Sequence, residues 1–265
     1  MIVAVLAYGG LLGVLVALEH KLLFPVAPWT RRLAEPDARL ALNPRRVTTR
    51  TQDGLRLVGW VMSGDASGLW MLVLHGNAGN ISTDGRPEHY QRLRALGLNL
   101  VAFDYRGYGE SEGAPTETGL YRDADAAYAY LRDSLHVPPN RVVIFGHSLG
   151  SAVAVDLASR MPARGLVVEG SFTSALDVAR RIYWFLPVRL VMQSRFDSDD
   201  KIARVTGPKL FLHARTDEAI PFDLGRKLYD RATEPKAFVE LSGGHNDAYV
   251  VDSAAYFGAI AAFLR

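Results

Sequence analysis

Cysteine is absent from the 265 residues. That removes disulfides, thiolate catalysis and cysteine-ligated metals, and leaves the redox compartment open. An excess of charge of one sign is lacking too: 30 Lys and Arg stand against 28 Asp and Glu, a net of +2. Such a balance gives no case for a nucleic-acid partner or another polyanion. There is no internal repeat and no low-complexity tract. Hydrophobic residues make up 49% and charged residues 22%, an ordinary balance for one globular domain with a sizeable core.

A long uncharged apolar run occurs once, from Met1 to Leu18, and Glu19, His20 and Lys21 close it. About 18–20 apolar residues in a helix can cross a hydrocarbon layer of roughly 30 Å. A cleaved signal peptide normally has basic residues ahead of the run and a small-x-small site behind it; neither is present. The expectation is a membrane anchor over 1–20, spanning or interfacial, with a core helix as the other reading. Lys21, Arg31, Arg32 and Arg39 lie behind the run and lean toward a cytoplasmic position for the catalytic domain. Gly9 and Gly13 have the spacing that lets two such helices pack closely, which would allow an anchor-mediated dimer.

Residues 21–45, rich in Pro and Arg, read as a juxtamembrane connection to a domain over 46–265. Arg46–Thr51 and Leu55–Met62 flank Asp53-Gly54 and read as an antiparallel hairpin. Short apolar runs come next at Leu69–Leu74, Leu98–Phe103, Val142–Phe145, Leu166–Val168, Lys209–Leu212 and Ala237–Leu241, as expected for strands covered on both faces. Helical patterns fill the gaps at Pro87–Leu96, Glu117–Ser134, Leu149–Arg160, Phe222–Ala232 and Asp247–Phe263. The alternation predicts an α/β fold with a doubly wound, mostly parallel sheet, in which ligands bind beyond the carboxyl ends of the strands. The stretch from about 172 to 205 is too long for a simple connection and reads as a cap.

Chemistry is concentrated just after the strands. Gly146-His147-Ser148-Leu149-Gly150 lies between an apolar strand and an Ala-rich helix, the context in which a serine sits on a sharp, strained turn with its hydroxyl raised above the sheet. A serine hydroxyl needs a base. Of seven histidines, His245 stands in a polar loop after the last strand. His213 reads as part of the loop holding an acid, His75 and His147 as structural, and His20, His89 and His136 as solvated. Asp217, after the strand Lys209–Leu212, is the preferred orienting acid, and Glu169 is its rival. The glycine loop His75–Asn80 offers backbone amides; Asn77 and Leu149 are the expected oxyanion donors, each worth about 3 kcal/mol of barrier. No Gly-Lys-Ser/Thr completes a phosphate loop.

Taken together, HGNAGN (75–80), FDYRGYGESEG (103–113), GHSLG (146–150), EGSFTS (169–174), TDEAIP (216–221) and GGHND (243–247) resemble the α/β-hydrolase superfamily. The resemblance extends to its N-terminally anchored branch of lysophospholipase-like and depalmitoylase-like enzymes. Ala214 departs from the glycine common after the histidine there. The resemblance implies hydrolysis of an acyl ester or thioester through an acyl-enzyme, without metal or organic cofactor. Amide cleavage by the same residues, or a non-catalytic membrane module, are the alternatives. Asp104, Arg106 and Tyr108 read as loop scaffolding. Tyr183, Trp184, Phe185, Leu186 and Met192 in the cap either line an acyl groove or form the cap's own core.

Overall fold

The computed structural model describes residues 8, 13, 19–65, 68–83 and 85–265. The expected anchor over 1–20 therefore lies outside the described residues except at Tyr8, Gly13, Glu19 and His20, and Gly9 of the expected dimer contact lies outside them. Among the described residues, no helix is long and apolar enough to cross a membrane.

Eight strands form one sheet: β1 (Arg45–Arg50), β2 (Arg56–Met62), β3 (Trp70–Leu74), β4 (Asn99–Phe103), β5 (Val142–His147), β6 (Gly165–Glu169), β7 (Lys209–Ala214) and β8 (Lys236–Leu241). Their spatial order is β1-β2-β4-β3-β5-β6-β7-β8. β1 and β2 form the antiparallel hairpin, closed at Gly54 by its N–H donating to the Thr51 carbonyl (2.9 Å). β2 also pairs antiparallel with β4, and the six strands from β3 to β8 run parallel. β4 to β7 are buried along their whole lengths apart from His147, which is why their sequences run apolar without alternation.

The helices are α1 (Arg86–Ala95), α2 (Glu117–Ala129), α3 (Leu149–Ala158), α4 (Ala175–Ile182), α5 (Val188–Val191), α6 (Asp199–Ile202), α7 (Phe222–Arg231), α8 (Ala248–Val251) and α9 (Ser253–Leu264). They divide the interior into two apolar cores, one on each face of the sheet. The first gathers Leu120, Val153, Phe172, Phe196 and Leu228; the second gathers Tyr90, Leu93, Phe145, Tyr256 and Ile260. The segment Asp247–Phe263 is broken rather than continuous. Asp252 leaves helical geometry (φ −116°, ψ 46°) and its carboxylate accepts from Ser242 N–H (3.0 Å), so the chain bends between α8 and α9.

Residues 21–45 are more than a connection. Helical residues 19–23 lead into buried Phe24, and two short turns come after it at Pro28–Thr30 and Ala38–Leu40. Asn80 Nδ2 donates to the Thr30 and Arg32 carbonyls (2.7 and 3.0 Å), and Ala34 N–H donates to Ser82 Oγ (2.8 Å). The Glu19 carboxylate accepts from the N–H groups of Gln193 and Ser194 (3.0 and 2.8 Å). The segment is thereby fastened both to the glycine loop and to the cap.

Candidate active site

The sharp turn after β5 is set by close approach of backbones. A Cβ on Gly146 would stand 2.2 Å from the Gly150 carbonyl oxygen, and one on Gly150 would stand 2.1 Å from that of Leu74. With no side chains there, α3 starts directly against the ends of β3 and β5, whose register pairs Leu74 with Gly146. Ser148 takes the strain of the turn, with φ 54° and ψ −122°, a backbone region that costs a non-glycine residue on the order of 1–3 kcal/mol. Its N–H donates to the Glu169 carbonyl (2.9 Å) and its own carbonyl accepts from Ser151 Oγ (2.6 Å). Ser148 occupies the N-cap of α3 without its hydroxyl capping the helix.

That hydroxyl instead meets His245. With the ring proton on Nδ1, His245 Nε2 accepts from Ser148 Oγ (2.8 Å) and Nδ1 donates to Asp217 Oδ2 (2.8 Å). The second carboxylate oxygen of Asp217 accepts from the N–H groups of Ala219 and Ile220 (2.9 and 2.7 Å). The His245 N–H donates to Glu218 (3.0 Å), and its carbonyl accepts from His147 Nε2 (3.0 Å). The preferred acid is thus the one that touches the imidazole. Glu169, its rival, accepts instead from the Tyr256 hydroxyl (2.7 Å), which also contacts His89 Nε2 (3.0 Å).

Burial alone would lower His245, but the hydrogen bond and charge of Asp217, aided by Glu169 and Glu218, outweigh it and hold the imidazole above its ordinary 6.5. Burial likewise pushes Asp217 up, and His245 with the Ile220 N–H more than reverses this, leaving the carboxyl below its usual range. His147 and His89 are pushed down to about 3, first by burial and then by neighbouring cationic groups; both stay neutral. Glu169 is pushed up to about 7 by burial. A hydroxyl bonded to an imidazole that is fixed by a carboxylate is an arrangement able to deprotonate an alcohol as it attacks a carbonyl.

The glycine loop is braced from below. Tyr108 and Tyr105 donate to the Asn77 and His75 carbonyls (2.8 and 3.2 Å), and Asp104 accepts from Ile81 N–H (2.8 Å). Arg106 pairs with Asp123 and Asp53 (both 2.9 Å) and is not among the residues lining the cavity around Ser148. Asn77 and Leu149 border the cavity beside Ser148, and Leu149 is the first residue of α3, where a helix leaves its N–H without an intrahelical partner.

A cavity of about 850 Å³ opens around Ser148. Of the cap residues named from sequence, Tyr183, Leu186 and Met192 line it, whereas Trp184 and Phe185 do not and are 81% and 59% exposed. They sit on the turn between α4 and α5, where no described residue covers them. Sequence reasoning missed Leu22, Leu23, Phe172, Val178 and Ile182 as lining residues, although apolar side chains next to the cap and the apolar run were the available signal. It also misplaced His89 as solvated; the residue is buried and lines the cavity. No pattern marked Tyr249 or Asn246, which border the cavity beyond His245.

A family model described as "Alpha/beta hydrolase family" matches residues 71–256. The uncharacterized protein Rv2307c of Mycobacterium tuberculosis is 41% identical over 223 residues, covering 83% of this chain and 79% of that one. The lysophosphatidylserine lipase ABHD12 of Danio rerio is 36% identical over 198 residues, 68% of this chain, and the chain spans about half (50%) of that protein's length. Among solved structures, the Pyrococcus furiosus esterase PF2001 superposes with a TM-score of 0.74 at 20% identity, covering 88% of this chain and 95% of that one, a likeness of fold.

Proposed function

The chain belongs to the alpha/beta hydrolase family, and from that premise we propose that it cleaves acyl esters at a membrane surface, with Ser148 as nucleophile, His245 as general base and Asp217 as its orienting acid. The observation carrying this reading is the unbroken relay of two 2.8 Å hydrogen bonds from Ser148 through His245 to Asp217. Ser148 attacks the carbonyl carbon as His245 takes its proton. The oxyanion is received by the N–H groups of Asn77 and Leu149. His245 then protonates the departing alcohol or thiol, and water repeats the sequence on the acyl-enzyme.

An apolar acyl chain is favoured by the lining contributed by Leu22, Leu23, Phe172, Val178, Leu186 and Met192. A monoacyl lipid fits this lining, and the similarity to a lysophosphatidylserine lipase supports it. Membrane association is favoured by the apolar run 1–18 leading straight into residues 19–23, of which Glu19, Leu22 and Leu23 line the cavity. The basic residues behind the run favour the cytoplasmic side.

The test is a p-nitrophenyl ester panel of increasing acyl length, with aminoacyl amides beside it, run on wild type and Ser148→Ala. Ester turnover rising with chain length and falling at least about a thousandfold in the variant is expected. Rapid turnover of amides with inert esters would overturn the ester reading.

A further inference from the structure

The cavity draws its lining from both faces of the sheet. Phe172, Ala175, Val178 and Met192 belong to or pack on the core beneath the cap, whereas Val73, Tyr90, Phe145 and Tyr249 belong to or pack on the core beneath α1 and α9. Register explains the second group. Val73 pairs with Phe145 and His147 pairs with Glu169, so with a side-chain period of two, all four side chains project from one face. Ser148 lines the same cavity. The lining residues under the cap, one arm, are apolar apart from Glu19 and Tyr183; those under α1, the other arm, include Arg86, His89, His147, Glu169, Asn246 and Tyr249.

A substrate whose carbonyl lies at Ser148 must put its acyl chain in one arm and its leaving group in the other. The leaving-group oxygen must lie within reach of His245 Nε2, which protonates it. His245 stands over the polar arm, its ring 4.9 Å from that of His147. The leaving group therefore enters the polar arm.

Among the described residues, Glu169 is the one carboxylate of that arm. It is 6% exposed yet lines the cavity, and its hydrogen bond from Tyr256 engages Oε2. Among the described residues it has no ion pair, and its aromatic neighbours His89 and Tyr256 supply no cation. His245 acts on Glu169 as a cation only when protonated, and a buried carboxylate that faces a cavity with no ion pair of its own among the described residues is complemented by a cationic or hydrogen-bond-donating group brought by a ligand. Resting on the ester reading above, we propose that Glu169 is a specificity-determining residue that selects alcohol leaving groups carrying a second donor, an ammonium most strongly. Because its carboxyl titrates near neutrality through burial, an arriving ammonium also draws it into the ionised state.

An isosteric ester pair with a common hexanoyl chain tests this: 2-(dimethylamino)ethyl hexanoate, protonated at pH 7.5, against 3-methylbutyl hexanoate. Wild type is expected to favour the ammonium ester in kcat/KM by roughly tenfold or more, as one desolvated charge pair typically supplies. Glu169→Gln is expected to bring the two within about threefold of each other, read as the ratio of kcat/KM for the two esters on that one protein. Equal use of both esters by wild type, a preference that survives in Glu169→Gln, or a variant dead on both substrates would each overturn the proposal. A wild type that hydrolyses neither ester overturns the hydrolase reading itself, an outcome distinct from equal hydrolysis of the two.

Discussion

At the scale of single residues, the proposed mechanism makes His245 the group that decides when the site works: its neutral form would accept the Ser148 proton, and its protonated form could not. Asp217, Glu169 and Glu218 hold the imidazole above 6.5 against burial, so kcat/KM for a neutral ester should rise as pH increases, with its midpoint above 6.5. Asp217→Asn removes the main opposing contribution; the limb should then move to lower pH while kcat falls by several orders of magnitude, as loss of an orienting acid does elsewhere. A stopped-flow pH series on both proteins checks this, and a midpoint unchanged by the substitution contradicts the assignment of the acid. The three side chains were legible in sequence because each comes just after a strand and the order Ser, Asp, His matches a known chain order. Which of Asp217 and Glu169 touches the imidazole was less so, since Glu169 ends β6 and Asp217 closely follows the adjacent β7; the 2.8 Å contact to Asp217 separates them.

Elements set that geometry. α3 abuts the ends of β3 and β5 only because positions 146 and 150 carry no side chain. Gly150→Ala places a Cβ 2.1 Å from the Leu74 carbonyl oxygen and 2.6 Å from that of His75, and both are backbone atoms that cannot swing away. Overpacking of this kind costs about 1–3 kcal/mol, equivalent to several degrees of Tm in a chain of this size. It should also displace the loop bearing Asn77. Differential scanning calorimetry and ester turnover should both decline, turnover by at least about tenfold; an unaltered Tm and rate would mean the turn is slacker than described. The strands were readable from sequence because burial on both faces makes them continuous apolar runs. The break at Asp252 was not, because it depends on a hydrogen bond from Ser242, a tertiary contact that periodicity cannot register. The same holds for His89, whose burial results from α1 packing toward Tyr256.

For the molecule as a whole, the cap and the residues behind the apolar run form one mouth. Glu19 ties residues 19–23 to the cap, and Leu22, Ile182, Trp184, Phe185 and Leu190 remain exposed around it, with Lys21, Arg180, Arg181 and Arg189 nearby in sequence. Such a surface suits the boundary between headgroups and acyl chains. A Trp184→Ser, Leu190→Ser double variant should bind anionic vesicles several-fold more weakly in flotation assays and keep turnover of a short soluble ester within about threefold. Equal loss of both would assign the two residues to the catalytic architecture instead. This mouth was only partly visible in sequence: Trp184 and Phe185 stood out as apolar, but their exposure depends on the turn between α4 and α5.

The proposed chemistry depends most on a nucleophilic alcohol at position 148. Treatment with a fluorophosphonate followed by peptide mass spectrometry reports on it directly. One phosphonyl adduct, on the peptide containing Ser148 and lost in both Ser148→Ala and His245→Ala, is the predicted result. A folded wild type that stays unlabelled, or a label residing on another residue, would contradict it.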